Sequence, residues 1–249
     1  MTSTSQSSVV LVETQGAVRI ITMNRPDKLN ALNTELTQAI YDALLAADND
    51  PSVRAIVLAG NGRGFCAGAD LSEFDTLTPA NQDLVEKRAD LTCRTQAMMQ
   101  GLSKPVVSAV QGAAVGGGAG LAIGCDMMVA ATNLKFGYPE LKHSIVPALV
   151  MTGLQRSLGR KAAFEMISLG RLIGADEALS LGLCNRVVAP QDVLGKAVEI
   201  AEAWSAANSL AMSAAKALYY AVEDLPYAEA MAAGRDLNAK MRSFRGDAK

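Results

Sequence analysis

The sequence predicts an α/β fold, and two observations carry that reading. The runs Arg54 to Ala59 and Val106 to Val110 are compact and β-branched, with no polar alternation, as expected of parallel strands buried on both faces. Each leads into a glycine-rich loop, and after Ser157 the periodicity becomes helical almost to the end. With 249 residues, half of them apolar, the chain can bury a sizeable core.

The elements follow in order. Val9 to Glu13 and Ala17 to Met23 read as two short strands, with Gln15-Gly16 as the hairpin turn between them. Pro26 forces a loop. Asn33 or Thr34 caps a helix whose apolar stripe is Leu36, Ala39, Ile40, Ala43, Leu44 and Ala47. The strand ending at Ala59 leads into the loop Gly60 to Gly68, and Pro79 to Gly101 contains a long polar helix. Pro105 marks the entry to Val106–Val110. Gly112 to Gly120 is dense in glycine, Leu121 to Cys125 completes a short helix, and Asp126 to Ala131 reads as a strand. The later helices are expected over Lys161–Leu169, Ala175–Leu181, Gln191–Ala207, Ser209–Glu223 and Tyr227–Arg242, interrupted by a strand at Cys184–Val188.

A net charge of −2 supplies no basic field for nucleic acid or an anionic membrane, although a few local Lys or Arg side chains suffice to hold phosphates. Cys66, Cys93, Cys125 and Cys184 form no C-x-x-C pair, and His143 is the only histidine, which argues against a zinc site. The cysteines read as small buried hydrophobes of a reducing compartment, here the cytoplasm. Residues 1–8 are polar, without the charged start and apolar core of a signal peptide, and read as a flexible tail. The most apolar stretch, Val106 to Ala131, is broken by glycines and Asp126, so no membrane span is expected.

Two loops at the carboxyl ends of predicted parallel strands stand out: Gly64 to Asp70, and Gly112 to Gly120. That edge of an α/β sheet is where ligands usually sit. Glycines let a ligand approach the main chain, and a helix starting at the second loop leaves N–H groups at its positive end. Two such groups converging on one point can hold a negative oxygen. Tight turns and close helix–strand packing would also account for the glycines of either loop alone. Gly62 to Ala67 formally fits a dinucleotide G-x-G-x-x-A, but the Gly68-Ala69-Asp70 that follows makes a poor helix start.

Asn24-Arg25-Pro26 through Asn30-Ala31-Leu32 resembles the N-R-P-x-x-x-N-A-L segment of the crotonase (enoyl-CoA hydratase/isomerase) superfamily. Phe65 to Asp70 resembles its F-x-A-G-A-D loop, and Lys104-Pro105-Val106 with Gly112 and Gly116-Gly117-Gly118 its K-P-V…G…G-G-G segment. Cys125-Asp126, Phe136, Pro139-Glu140 and Gly182-Leu183 also fall where that family has them, so the resemblance covers nearly the whole chain in order. It implies a spiral of ββα units over residues 9–190 carrying an acyl-CoA site, then a helical trimerisation region over 191–249, assembled as a homotrimer or dimer of trimers. It also implies oxyanion-hole N–H groups on Ala69 and Gly117. Coenzyme A, present only as part of the thioester substrate and with no separate cofactor, would lie along Ala67, Gly68, Ala69, Asp70, Gly116 and Gly117, with Arg25 and Lys28 near its polar end. Ser72 stands where many family hydratases have a CoA-contacting lysine.

Glu140, by its residues alone, is either a surface carboxylate in a helix N-terminal turn or a base stiffened by Pro139 and followed by the apolar Ile145 to Met151. The resemblance selects the base, matching Glu140 to the second of the two catalytic glutamates of family hydratases. The first has no counterpart, because its place is taken by Gly120. Val146-Pro147-Ala148-Leu149-Val150 likewise replaces the P-x-x-G-G of many hydratases. With one carboxylate, the expected reaction is transfer of a double bond from 3-enoyl-CoA to 2-enoyl-CoA. The alternatives are an atypical hydratase, another acyl-CoA lyase or hydrolase, and a non-catalytic acyl-CoA-binding protein. Asp70 and Asp126 read as structural, while Glu73, Asp75 and His143 are weaker catalytic candidates.

Overall fold

The computed structural model describes residues 8–241. Of the tail expected over 1–8, only the exposed Ser8 falls within that range, and Arg242, the expected end of the last helix, lies outside it. Strands β1 (Val10–Gln15) and β2 (Val18–Met23) form an antiparallel hairpin in which Gln15 pairs with Val18. The turn is therefore Gly16-Ala17, one residue later than the sequence suggested, because Gly16 takes the positive φ (+57°) that a tight hairpin turn demands at its first central position. Helix α1 (Thr34–Asn49) is capped by the Asn33 side chain, which accepts from the Leu36 N–H at 2.9 Å.

Beyond β2 the sheet is parallel. It adds β3 (Ala55–Gly60), β4 (Val106–Val110), β6 (Met127–Ala131) and β9 (Arg186–Val188), in the order β1-β2-β3-β4-β6-β9. Both faces are covered, which explains the unbroken apolar runs. Ile56 and Leu58 of β3 pack on one side with Leu36, Ile40 and Leu44 of α1. Ala55, Val57 and Ala59 pack on the other with Val193, Ala197 and Ala201 of α7 (Val193–Ser205). The first helix of the C-terminal region is thus built into the sheet.

A second sheet of β5 (Ala113–Val115), β7 (Lys135–Gly137) and β8 (Leu172–Ile173) escaped the sequence reading, because strands of two or three residues carry no legible alternation. Helix α2 (Gln82–Gly101) lies within its expected bounds, and α3 (Gly117–Gly124) starts within the second glycine loop, as expected, and ends one residue before the expected Cys125. Close neighbours require glycine on this helix: a Cβ added to Gly118 would lie 2.4 Å from the Cys66 carbonyl oxygen. Helix α4 (Val150–Leu158) was not anticipated, and α5 (Arg160–Leu169) and α6 (Ala175–Ser180) follow.

Helices α8 (Ser209–Ala221) and α9 (Tyr227–Lys240) complete the described chain. Lys216 of α8 is buried, and its ammonium donates to Asp126 Oδ2 (2.8 Å) and the Lys104 carbonyl (2.9 Å). Tyr220 donates its hydroxyl to Asp126 Oδ1 at 2.7 Å, and the Val106 N–H reaches Oδ2. Asp126 is therefore structural, as expected, and fixes α8 to the start of β4. Lys216→Met leaves this carboxylate desolvated without its counter-charge. We expect a loss of about 3 kcal/mol in denaturant unfolding, and a change within 0.5 kcal/mol would show that the pair does not hold α8.

Candidate active site

The two glycine loops lie side by side because main-chain hydrogen bonds tie the first into the second sheet. Phe65 N donates to Gln111 O, Cys66 N to Ala113 O and Val115 N to Cys66 O, at 2.8, 2.8 and 3.0 Å. On its other edge Ala67 N donates to Leu29 O (2.9 Å), Leu32 N to Gly68 O (2.7 Å) and Asp70 N to Leu32 O (3.1 Å). The Asn30 side chain, fully buried, reaches the carbonyls of Asn61, Gly64 and Phe65 from beneath. Gly68 (φ +93°) is where the loops meet: a Cβ there would sit 2.9 Å from Val115 O and 3.8 Å from Gly117 N. Among the described residues, neither the Ala69 N–H nor the Gly117 N–H has an acceptor. The first is left over because the bridge to Leu32 uses the groups of residues 68 and 70. The second belongs to the opening turn of α3, whose first N–H groups have no intrahelical partner.

Glu140 stands beside this pair. The Gly116 N–H donates to Gly137 O (2.9 Å), joining the second loop to the end of β7, and Tyr138-Pro139 carry the chain into a 3-10 turn, Glu140–His143. Gly116 (φ +53°) faces the carboxylate, since a Cβ there would lie 2.8 Å from Glu140 Oε1. Oε2 is buried without a hydrogen-bond partner. Burial pushes the Glu140 carboxyl above its ordinary range, with its own backbone N–H and the charge of His143 opposing. His143 itself is exposed. The Tyr138 hydroxyl, two residues before Glu140, is also buried and unpartnered, and its ring packs edge-on against Phe136 at 5.7 Å.

The remaining sequence candidates have different places. The Arg25 guanidinium is engaged by Asp70 Oδ2 (2.8 Å) and the Ala31 carbonyl. Asp70 Oδ1 accepts from the Ser72 hydroxyl (2.7 Å) and N–H, and the Ser72 hydroxyl foremost, with Arg25 in support, holds the Asp70 carboxyl below its usual range. Both side chains brace the Ala67–Asp70 loop from within. Lys28 is exposed in the 3-10 turn Pro26–Lys28. Glu73 is held by Arg88 at 3.3 Å and by the Thr34 N–H. Cys66 is buried, its thiol pushed up to about 12 by desolvation, which fits packing rather than nucleophilic attack. Cys93, expected to be buried, is exposed on α2.

Sequence reasoning missed what occupies the space over Gly120. A Cβ at that position would lie 2.5 Å from Gln96 Oε1 and 2.8 Å from Val150 Cγ1. Gln96 comes from the middle of α2, where nothing in the sequence distinguishes it from a solvated polar residue. A groove of about 530 Å³ opens behind this point, lined by Gly120, Gln96, Val150, Ile123, Leu149 and Tyr219 among others.

The enoyl-CoA hydratase/isomerase family model matches residues 13–245. The short-chain-enoyl-CoA hydratase of Clostridium acetobutylicum is 38% identical over 194 residues, covering 77% of this chain and 73% of its own. The 2,3-dehydroadipyl-CoA hydratase of Escherichia coli is 37% identical over 210 residues, covering 84% and 80%. Among solved structures, an enoyl-CoA hydratase of Mycobacterium smegmatis superposes with a TM-score of 0.87 at 32% identity, covering 94% of this chain and 91% of that one. The chain belongs to the enoyl-CoA hydratase/isomerase family of the crotonase superfamily and is an enzyme of that family, with the crotonase fold.

Proposed function

We propose that this protein moves a double bond in an acyl-CoA thioester, converting 3-enoyl-CoA to 2-enoyl-CoA with Glu140 as its one acid–base group. The observation that carries this reading is the half-buried Glu140, whose Oε2 is buried and unpartnered, beside two unused N–H groups, with glycine rather than a second acid at position 120. The thioester oxygen binds the Ala69 and Gly117 N–H groups. Glu140 takes a proton from C2, the negative charge delocalises onto that oxygen, and the two dipoles stabilise it as it forms. The same carboxyl group returns the proton at C4, leaving the double bond between C2 and C3. Burial favours the first half, since a raised pKa makes the carboxylate a stronger base towards the carbon acid, and the resulting carboxyl group still protonates the strongly basic C4 of the dienolate.

CoA lies along the Ala67–Asp70 loop and Gly116–Gly117, contacting mainly backbone, since Arg25 and Asp70 are already paired with each other. Lys28 remains available to its phosphates. The acyl chain runs into the groove behind Gly120, one helical turn from the Gly117 N–H. The chain works as a homotrimer or dimer of trimers in the cytoplasm. Helix α9 supports the assembly: it buries no residue and presents Tyr227 and Met231 to the outside.

The names of the relatives favour a second reading, water addition to 2-enoyl-CoA. Supplying the purified protein with 3-enoyl-CoA and 2-enoyl-CoA in separate reactions decides between them. We expect 2-enoyl-CoA from the first and no 3-hydroxyacyl-CoA from the second. Fast hydration of the second with no transfer in the first would overturn the isomerase reading. Tight binding of both without turnover would make the chain a non-catalytic acyl-CoA binder.

A further inference from the structure

Three glycines of α3 meet one residue of α2, two of them its side chain. A Cβ on Gly117 would lie 3.8 Å from Gln96 Nε2, one on Gly120 2.5 Å from Gln96 Oε1, and one on Gly124 3.6 Å from the Gln96 carbonyl oxygen. These positions are three and four residues apart and share one helix face. The two helices therefore approach along a strip where α3 has no side chains, and Gln96 fills the space. Its orientation is fixed by chemistry: Nε2 donates to the Gly117 carbonyl at 2.8 Å, so Oε1 must face Gly120. Among the described residues, Gln96 makes the one side-chain hydrogen bond to the opening turn of α3. Its N-cap is Gly116, which has no side chain with which to cap, and a run of glycines is the least rigid of helical sequences.

We propose that Gln96 is a positioning residue for the oxyanion donor. By holding the Gly117 carbonyl from one side, its amide fixes the plane of the turn that carries the Gly117 N–H and keeps that N–H aimed at the thioester oxygen. It also occupies the volume a side chain at 120 would need, so an acid there would have to displace the Gln96 amide. This inference rests on the thioester site proposed above, which is why the test reads the carbonyl oxygen directly.

A chromophoric 2,4-dienoyl-CoA absorbs at longer wavelength when its carbonyl oxygen is polarised, which gives a readout separate from turnover. Gln96→Met keeps the length and removes the amide. We expect kcat for double-bond transfer to fall on the order of tenfold or more, KM to stay within about twofold, and the red shift of the bound chromophore to shrink. Gln96→Glu supplies the control for folding. Ionised, it cannot donate to the Gly117 carbonyl, and protonated it can. Its red shift should be weak at pH 7.5 and recover as the pH is lowered through the range where residue 96 takes up a proton, while the unaltered protein changes little over the same range. An undiminished red shift and kcat in Gln96→Met, or a Gln96→Glu shift that ignores pH, would overturn the positioning role. Absence of any red shift in the unaltered protein would instead sink the thioester site itself, so the two failures are distinguishable.

Discussion

Glu140→Gln should lower double-bond transfer by about 10³-fold or more, while the protein still binds the thioester and unfolds at a higher temperature at pH 7. The rate loss follows from Glu140 being the one carboxylate beside Gly116, with the space over Gly120 already filled. The gain in stability follows from the direction of the pKa shift. Burial first, opposed by its own N–H and by His143, raises the Glu140 pKa in the folded protein. Folding therefore favours the protonated form, and below the ordinary glutamate pKa the group imposes no penalty. The penalty grows as the pH rises from the unfolded value to the folded one, and above that it is complete. Glutamine fills the same space without a charge and removes that pH dependence. Activity has the opposite sign: the base must be ionised, so kcat/KM should fall as the pH drops through the raised pKa, at a pH above the usual glutamate range. Pre-steady-state and steady-state kinetics with thermal melts from pH 5 to 8 check all three expectations. A Glu140→Gln protein that transfers the double bond at near-normal rate would show that another group moves the proton.

The second large effect belongs to Ala69→Pro, which removes one proposed oxyanion donor. Loss of a single such donor typically costs 10²–10³ in kcat, about 3–4 kcal/mol of barrier. The Leu32 bridge uses the Gly68 carbonyl and the Asp70 N–H, so no hydrogen bond of the fold depends on the Ala69 N–H. Gly68 precedes it and tolerates the restriction that proline places on the residue before it. We expect kcat to fall by about two orders of magnitude with little change in the denaturant midpoint. Full activity in a folded Ala69→Pro protein would remove Ala69 from the site.

Much of this architecture was legible because its causes are local. Arg54 to Ala59 and Val106 to Val110 read as buried strands because a strand covered on both faces needs no polar alternation. Asn33 read as a cap because its short side chain reaches back to the N–H of Leu36. Short β5, β7 and β8 were invisible because they exist through pairing with one another. Arg25 offered a cation beside a glycine loop, and nothing local showed that Asp70, 45 residues on, would hold it.

By itself the sequence determined the strand–loop–helix repeat and the glycine loops at strand ends, which depend on residues within a few positions of one another, while Glu140 was singled out only by the family resemblance. Tertiary structure alone decided that the loops touch at Gly68, that the Glu140 carboxylate lies over Gly116 with Oε2 buried, and that Gln96 fills the space over Gly120. The reason is physical. Burial, and the direction in which a free N–H points, are set by what packs against a group from elsewhere in the chain.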